Sequence, residues 1–92
     1  IIAVRRGARK EEYGMSEKSQ IVFMQARLIR LAAKKWNTDI QKASSLLSQY
    51  GLLKLIEDCF ETFHTEGDQA VFYDLETILK SKGVDIVAAL GQ

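Results

Sequence analysis

Apolar side chains recur at three- and four-residue intervals along most of this chain, the spacing of one face of an α-helix. From Ser16 the rhythm runs to about Trp36. Ile21, Met24, Leu28, Leu31, Ala32 and Trp36 share a face, with Val22 and Ile29 at its margin. Ser16 suits the N-cap, and Glu17 suits the positive end of that helix. Asn37-Thr38 interrupts the pattern and offers a cap for a second helix, roughly Asp39–Tyr50, with an apolar face of Ile40, Ala43, Leu46, Leu47 and Tyr50. Gly51 fits the left-handed position that ends helices. A third helix is expected from Leu52 to about His64. Leu52, Leu55, Ile56, Cys59, Phe60 and Phe63 lie together on it, while Glu57, Asp58 and Glu61 face away. The turn Thr65-Glu66-Gly67 follows, and Asp68 is placed to cap a fourth helix running to about Lys82, with Val71, Leu75, Ile78 and Leu79 inside. Gly83 stops it, and Val84–Leu90 reads as a last short turn tucking Val84, Val87 and Leu90 over one end.

These elements predict an all-α fold: a compact bundle of four helices with a short C-terminal turn and a flexible N-terminal arm. Residues 1–15 are expected to be a flexible basic arm or a non-native leader, with Met15-Ser16 the natural start, and residues 16–92 a single helical domain. The two shortest helices would be marginal alone, so their stability must come from packing one apolar face on another.

Composition agrees. The 92 residues are 47% hydrophobic and 27% charged, with no proline, which suits one folded domain with one modest core. No apolar run approaches the length a membrane-spanning helix requires. The single cysteine, Cys59, cannot form an internal disulfide. A soluble chain with no membrane partner and a cytoplasmic location is the expectation.

Charge changes the picture more. The net value of +1 hides an asymmetry: residues 1–54 hold eleven Lys/Arg against four Asp/Glu, a net of +7, and residues 55–92 hold two against eight, a net of −6. Such halves either neutralise each other across the fold or present a two-faced surface to a charged partner. On the first helix Phe23, Arg27, Arg30 and Lys34 form an exposed stripe opposite the apolar face. A phenylalanine in a basic stripe either contacts an acidic or nucleic-acid partner or packs against a neighbouring segment.

Catalytic chemistry is sparse. One Cys and one His cannot complete a structural zinc site, and no phosphate-binding glycine loop or calcium loop is present. Cys59 and His64 are five residues apart on one expected helix and do not face each other. Glu57 and Glu61, one turn apart on a solvent face, read as solvated charges. No enzymatic activity, metal or cofactor is therefore expected. His64 at a helix C-terminus, with Thr65, Gly67 and Asp68 close by, reads as a turn lock in which imidazole and hydroxyl satisfy backbone groups; a ligand- or partner-contacting histidine is the other reading. Two helices around Gly51 have a helix-turn-helix outline, but the second would expose Glu57, Asp58 and Glu61 with Lys54 its only cation, a face that repels phosphate.

The block His64-Thr65-x-Gly67-x-x-x-Val71-x-x-Asp74-Leu75, preceded by Tyr50-Gly51-Leu52-Leu53-x-x-Ile56-x-x-Cys59-Phe60, resembles the uncharacterised bacterial domain-of-unknown-function family 3791. The similarity covers about Ile21 to Leu79. The chain departs from the family pattern in its basic arm and its extension beyond Lys82. The resemblance implies a short helical domain encoded beside a domain of ADP-ribosyltransferase-like fold, and hence a binding or antitoxin-like role. It carries over no catalytic residue.

The expectation is a non-enzymatic protein-interaction module, the accessory or antitoxin-like partner of such a neighbour. Its acidic face (Glu57, Asp58, Glu61) would dock on a basic cleft, or its Phe23 stripe on an acidic one. Two alternatives stand beside it: a nucleic-acid-associated regulator using Phe23, Arg27, Arg30, Lys34 and the arm, and a self-associating scaffold in which the oppositely charged halves pair between subunits.

Overall fold

The structure, a computed structural model, describes residues 16–91. Among them lie six helices and no strand: α1 (Glu17–Lys35), α2 (Ile40–Gln49), α3 (Leu52–Asp58), α4 (Phe60–Glu66), α5 (Asp68–Ser81) and α6 (Ile86–Ala89). The all-α expectation holds, with six helices in place of four. The expected basic arm, residues 1–15, lies outside the described residues.

The Ser16 hydroxyl accepts the Ser19 N–H at 3.1 Å, so α1 begins where the sequence places it. Its end is more specific than the sequence suggests. Asn37 adopts φ 56°, the Thr38 N–H donates to the Ala33 carbonyl at 2.9 Å, and the Asn37 N–H donates to that of Lys34 at 3.3 Å. Asparagine tolerates this left-handed state better than most residues, and the two bonds satisfy otherwise orphaned carbonyls. Asn37 therefore closes α1 rather than opening α2. The cap of α2 is Asp39, whose carboxylate accepts the Lys42 N–H at 2.7 Å.

Gly51, at φ 72°, joins α2 to α3: its N–H donates to Ser48 and its carbonyl accepts from Leu55, both at 3.0 Å. The single third helix expected from Leu52 to His64 is broken at Cys59 (φ −108°, ψ 22°) into α3 and α4. No proline or glycine forces the break. Cysteine is a weak helix former, and the Cys59 carbonyl still accepts the Phe63 N–H at 2.9 Å. The tertiary gain is that α4 packs on both α3 and α5 while burying Phe60 and Phe63.

At Gly67 the backbone takes φ 92° and ψ 154°, a combination essentially confined to glycine. The Gly67 carbonyl opens α5 by accepting the Val71 N–H at 3.1 Å, and no side chain caps this helix. Asp68, expected as the cap, is instead the first residue of α5. Beyond α5, Asp85 caps α6 by accepting the Ala88 N–H at 3.2 Å. Leu90 is buried and Val84 half-buried as expected, but Val87 is 58% exposed; Ile86 packs on the core in its place.

The core joins Met24, Leu28, Ala32, Ala33 and Trp36 of α1 and its cap to Ala43, Leu46 and Leu47 of α2, Leu52 and Ile56 of α3, Phe60 and Phe63 of α4, Val71, Phe72, Leu75 and Leu79 of α5, and Leu90. Helix α1 is the organiser, packing on α2, α3 and α5. Two residues on expected apolar faces point outward: Ile40, the first residue of α2, and Val22. Trp36 meets Phe72 with ring centroids 5.6 Å apart, and its Nε1 donates to Glu76 Oε2 at 2.9 Å. That bond satisfies the indole N–H where the ring is buried.

Candidate functional site

The exposed stripe of α1 and the turn around Gly67 are brought together. Arg27 Nε donates to Asp68 Oδ2 at 2.9 Å, with Nη2 at 3.5 Å from Oδ1, linking the middle of α1 to the first residue of α5. His64, one turn after Phe60 on α4, lies over that ring with centroids 5.1 Å apart and planes 27° from parallel. Gln20, Phe23 and Arg27 from one side and Phe60 and His64 from the other line a notch of about 140 Å³. Phe23 is 53% exposed at its rim.

This notch continues toward the start of α1. Lys18, Ser19, Val22 and Phe23 line a shallow groove, and Glu17, Lys18, Ile21, Val22, Gln25 and Glu57 line another beside it. Val22 is 54% exposed, so two large apolar side chains share one surface with room for a partner's side chains between them. Gln25 pins α3 to this region by donating to the Leu53 carbonyl at 2.8 Å.

The remaining candidate residues are spread more widely. Arg30 and Lys34 lie one and two turns further along α1, exposed, and form no ion pair among the described residues. Asp58 and Glu57 both engage Lys54, at 3.3 and 3.9 Å, which accounts for two of the three carboxylates on the expected acidic face. The Lys54 ammonium is held above its ordinary pKa first by its hydrogen bond to Asp58, then by the charges of Asp58 and Glu57. Glu61 is exposed. Asp74 is half-buried on α5, the helix that follows the Gly67 turn after Glu66. The Glu66 carboxyl is pushed above the ordinary glutamate range, chiefly by desolvation and then by the Asp74 charge and hydrogen bond.

Thr65 does not lock the turn. Its hydroxyl donates to the Thr62 carbonyl at 2.8 Å, inside its own helix, and the His64 ring stacks on Phe60. Cys59 is half-buried against the core. No group of three or more His, Cys, Asp or Glu suited to a metal ion occurs among the described residues. The break at Cys59 also leaves the would-be recognition helix of a helix-turn-helix only seven residues long. The sequence alone does not mark Phe60 as part of the notch, although it stands at i, i+4 from His64, nor does it mark Glu66.

This surface offers apolar contact and charge: an aromatic rim, an Arg–Asp pair, and Arg30 and Lys34 further along the same helix. Among the described residues, no helix is long and apolar enough to cross a membrane. No curated protein and no solved structure matches the chain. One family model does, that of a protein of unknown function (DUF3791), over residues 23–82, which includes Phe23, the basic stripe, His64, Gly67 and Asp74.

Proposed function

The chain belongs to the DUF3791 family, and on that premise we propose that it is a non-enzymatic, cytoplasmic protein-interaction module, the accessory or antitoxin-like partner of a neighbouring ADP-ribosyltransferase-like protein. The observation that carries the interaction role is the exposed Val22–Phe23 surface opening into the notch walled by Phe60 and His64. Large apolar side chains half in water beside a recess are what an interface core uses as anchors. The antitoxin-like role rests on the family resemblance.

Of the two expected docking faces, the Phe23 stripe has the stronger support. The acidic face is partly neutralised by Lys54, whereas Arg30 and Lys34, further along the Phe23 stripe, are exposed and form no ion pair among the described residues. Nucleic-acid binding has less support, because Asp68 already engages Arg27 and Glu17 lies beside Lys18 at the start of this surface. Co-expression with the product of the adjacent gene tests the proposal. A complex stable at micromolar concentration, lost in Phe23→Asp while helical circular dichroism is retained, is the expected result. Failure of the wild-type pair to co-purify overturns it.

A further inference from the structure

The geometry points to a specific kind of occupant for the α1 face: an amphipathic helix of a partner protein, carrying one apolar anchor and two carboxylates spaced seven and eleven residues from it. This rests on the interaction reading above and adds what the partner must look like. The notch between Phe23, Phe60 and His64 is about 140 Å³, room for one branched aliphatic side chain or a small ring. Arg30 and Lys34 follow Phe23 on the same stripe of α1 by seven and eleven residues. At 1.5 Å per residue they stand roughly 10 and 16 Å further along the axis. A helix laid along α1 repeats that spacing only if its anchor and its two charges lie at i, i+7 and i+11, or at the reverse offsets when antiparallel. Those three positions fall within about 40° of one another on a 3.6-residue helix, so a single face presents them all.

The charge of the anchoring stripe selects the occupant. Arg27 is already neutralised by Asp68, which leaves Arg30 and Lys34 as the cations to be met by carboxylates. Residues 1–14 of the chain itself, with Arg5, Arg6, Arg9 and Lys10 against Glu11 and Glu12, carry the wrong sign for that place. A duplex would engage the two cations through its phosphates but keeps its bases stacked inside, so it has no side chain to place in a notch between Phe23, Phe60 and His64. Helix-in-groove recognition uses the combination found here, with apolar anchors for affinity and flanking charge for register.

Fluorescence anisotropy with a labelled, alanine-based helical peptide carrying Leu at i and Glu at i+7 and i+11 tests this on the full chain. Binding is expected to weaken about tenfold or more in Phe23→Ala, in the Leu→Ser peptide and in Arg30→Glu/Lys34→Glu. A peptide with Lys in place of both Glu should regain affinity for that double variant, and added salt should weaken the wild-type pair. Equal affinity for the Leu and Ser peptides, or no rescue by the charge-swapped peptide, overturns the inference. So does any of three alternative occupants: duplex DNA held by Arg30 and Lys34 independently of Phe23, a synthetic peptide of residues 1–14 competing at Phe23, or a dimer of the chain dissolved by Phe23→Ala. An adjacent-gene complex that forms in the wild type and survives Arg30→Glu/Lys34→Glu overturns this inference while sparing the interaction reading. A missing complex together with normal peptide binding does the reverse.

Discussion

Arg27 of α1 grips Asp68, the first residue of α5, through a contact of 2.9 Å and a second of 3.5 Å. The carboxylate also faces the positive end of α5, so one side chain is stabilised by a guanidinium and a helix dipole together. Both partners are partly exposed, at 48% and 33%, which limits the pair to about 0.2–1 kcal/mol. A double-mutant cycle on Arg27→Ala and Asp68→Ala should return a coupling of that size. Raising the salt to 1 M should remove most of it. A coupling indistinguishable from zero at low salt would mean that the two helices are joined by the core alone.

Gly67→Ala should destabilise the fold by about 1–3 kcal/mol, because the left-handed, extended backbone there penalises any Cβ. An added Cβ meets no atom within 4 Å, so the cost is conformational and not a clash. Asparagine should not rescue this site, whereas Gly83→Asn, at φ 81° in a region asparagine visits, should cost well under half as much. Urea midpoints at unchanged m-value measure both. Equal costs at the two glycines would refute the assignment.

Stability should fall with rising pH through the Glu66–Asp74 pair. A carboxyl with a raised native pKa binds its proton more tightly in the folded chain than in the unfolded one. Its stabilisation is complete below the ordinary glutamate value of about 4.3 and is lost as pH rises through the raised native value. Glu66→Gln keeps an amide against Asp74 and removes the second charge. The variant should be more stable than wild type at pH 7, with the difference fading on acidification toward pH 4. A pH-independent difference in urea midpoint would contradict this account.

Leu28 is fully buried where α1 meets the rest of the core, and Leu28→Ala should cost about 2–5 kcal/mol. That is a large share of the stability of a domain this small. Val22→Ala, half exposed on the same helix, should stay within about 0.5 kcal/mol. Thermal unfolding by circular dichroism separates the two. A large cost at Val22 would show that its surface is structural and not available for docking.

Periodicity made the helices legible because each buries one stripe, and Met24, Leu28, Leu47, Ile56 and Leu75 fall inside as the spacing demands. What it could not reveal were choices made by tertiary packing. The break at Cys59 has no glycine or proline to announce it, and Phe72 joins the core beside the predicted stripe because Trp36 lies across from it. Asn37 and Asp39 are both good capping residues, and only the bonds from Asn37 N–H to Lys34 and from Lys42 N–H to Asp39 decide which ends one helix and which starts the next. The stripe on α1 and the turn motif at His64 were each visible in the sequence. Their meeting was not, since Arg27 and Asp68 are 41 residues apart and share no local pattern.

Trp36 is the only tryptophan of the chain, sealed at the seam of α1 and α5 and tethered to Glu76. It follows Phe23 by thirteen residues, roughly 20 Å along the helix axis. Indole emission should shift to longer wavelength when the seam opens, because the ring then leaves its packing against Phe72. The molecule thus carries an intrinsic optical gauge of its own integrity, against which any extrinsic label at Phe23 can be calibrated.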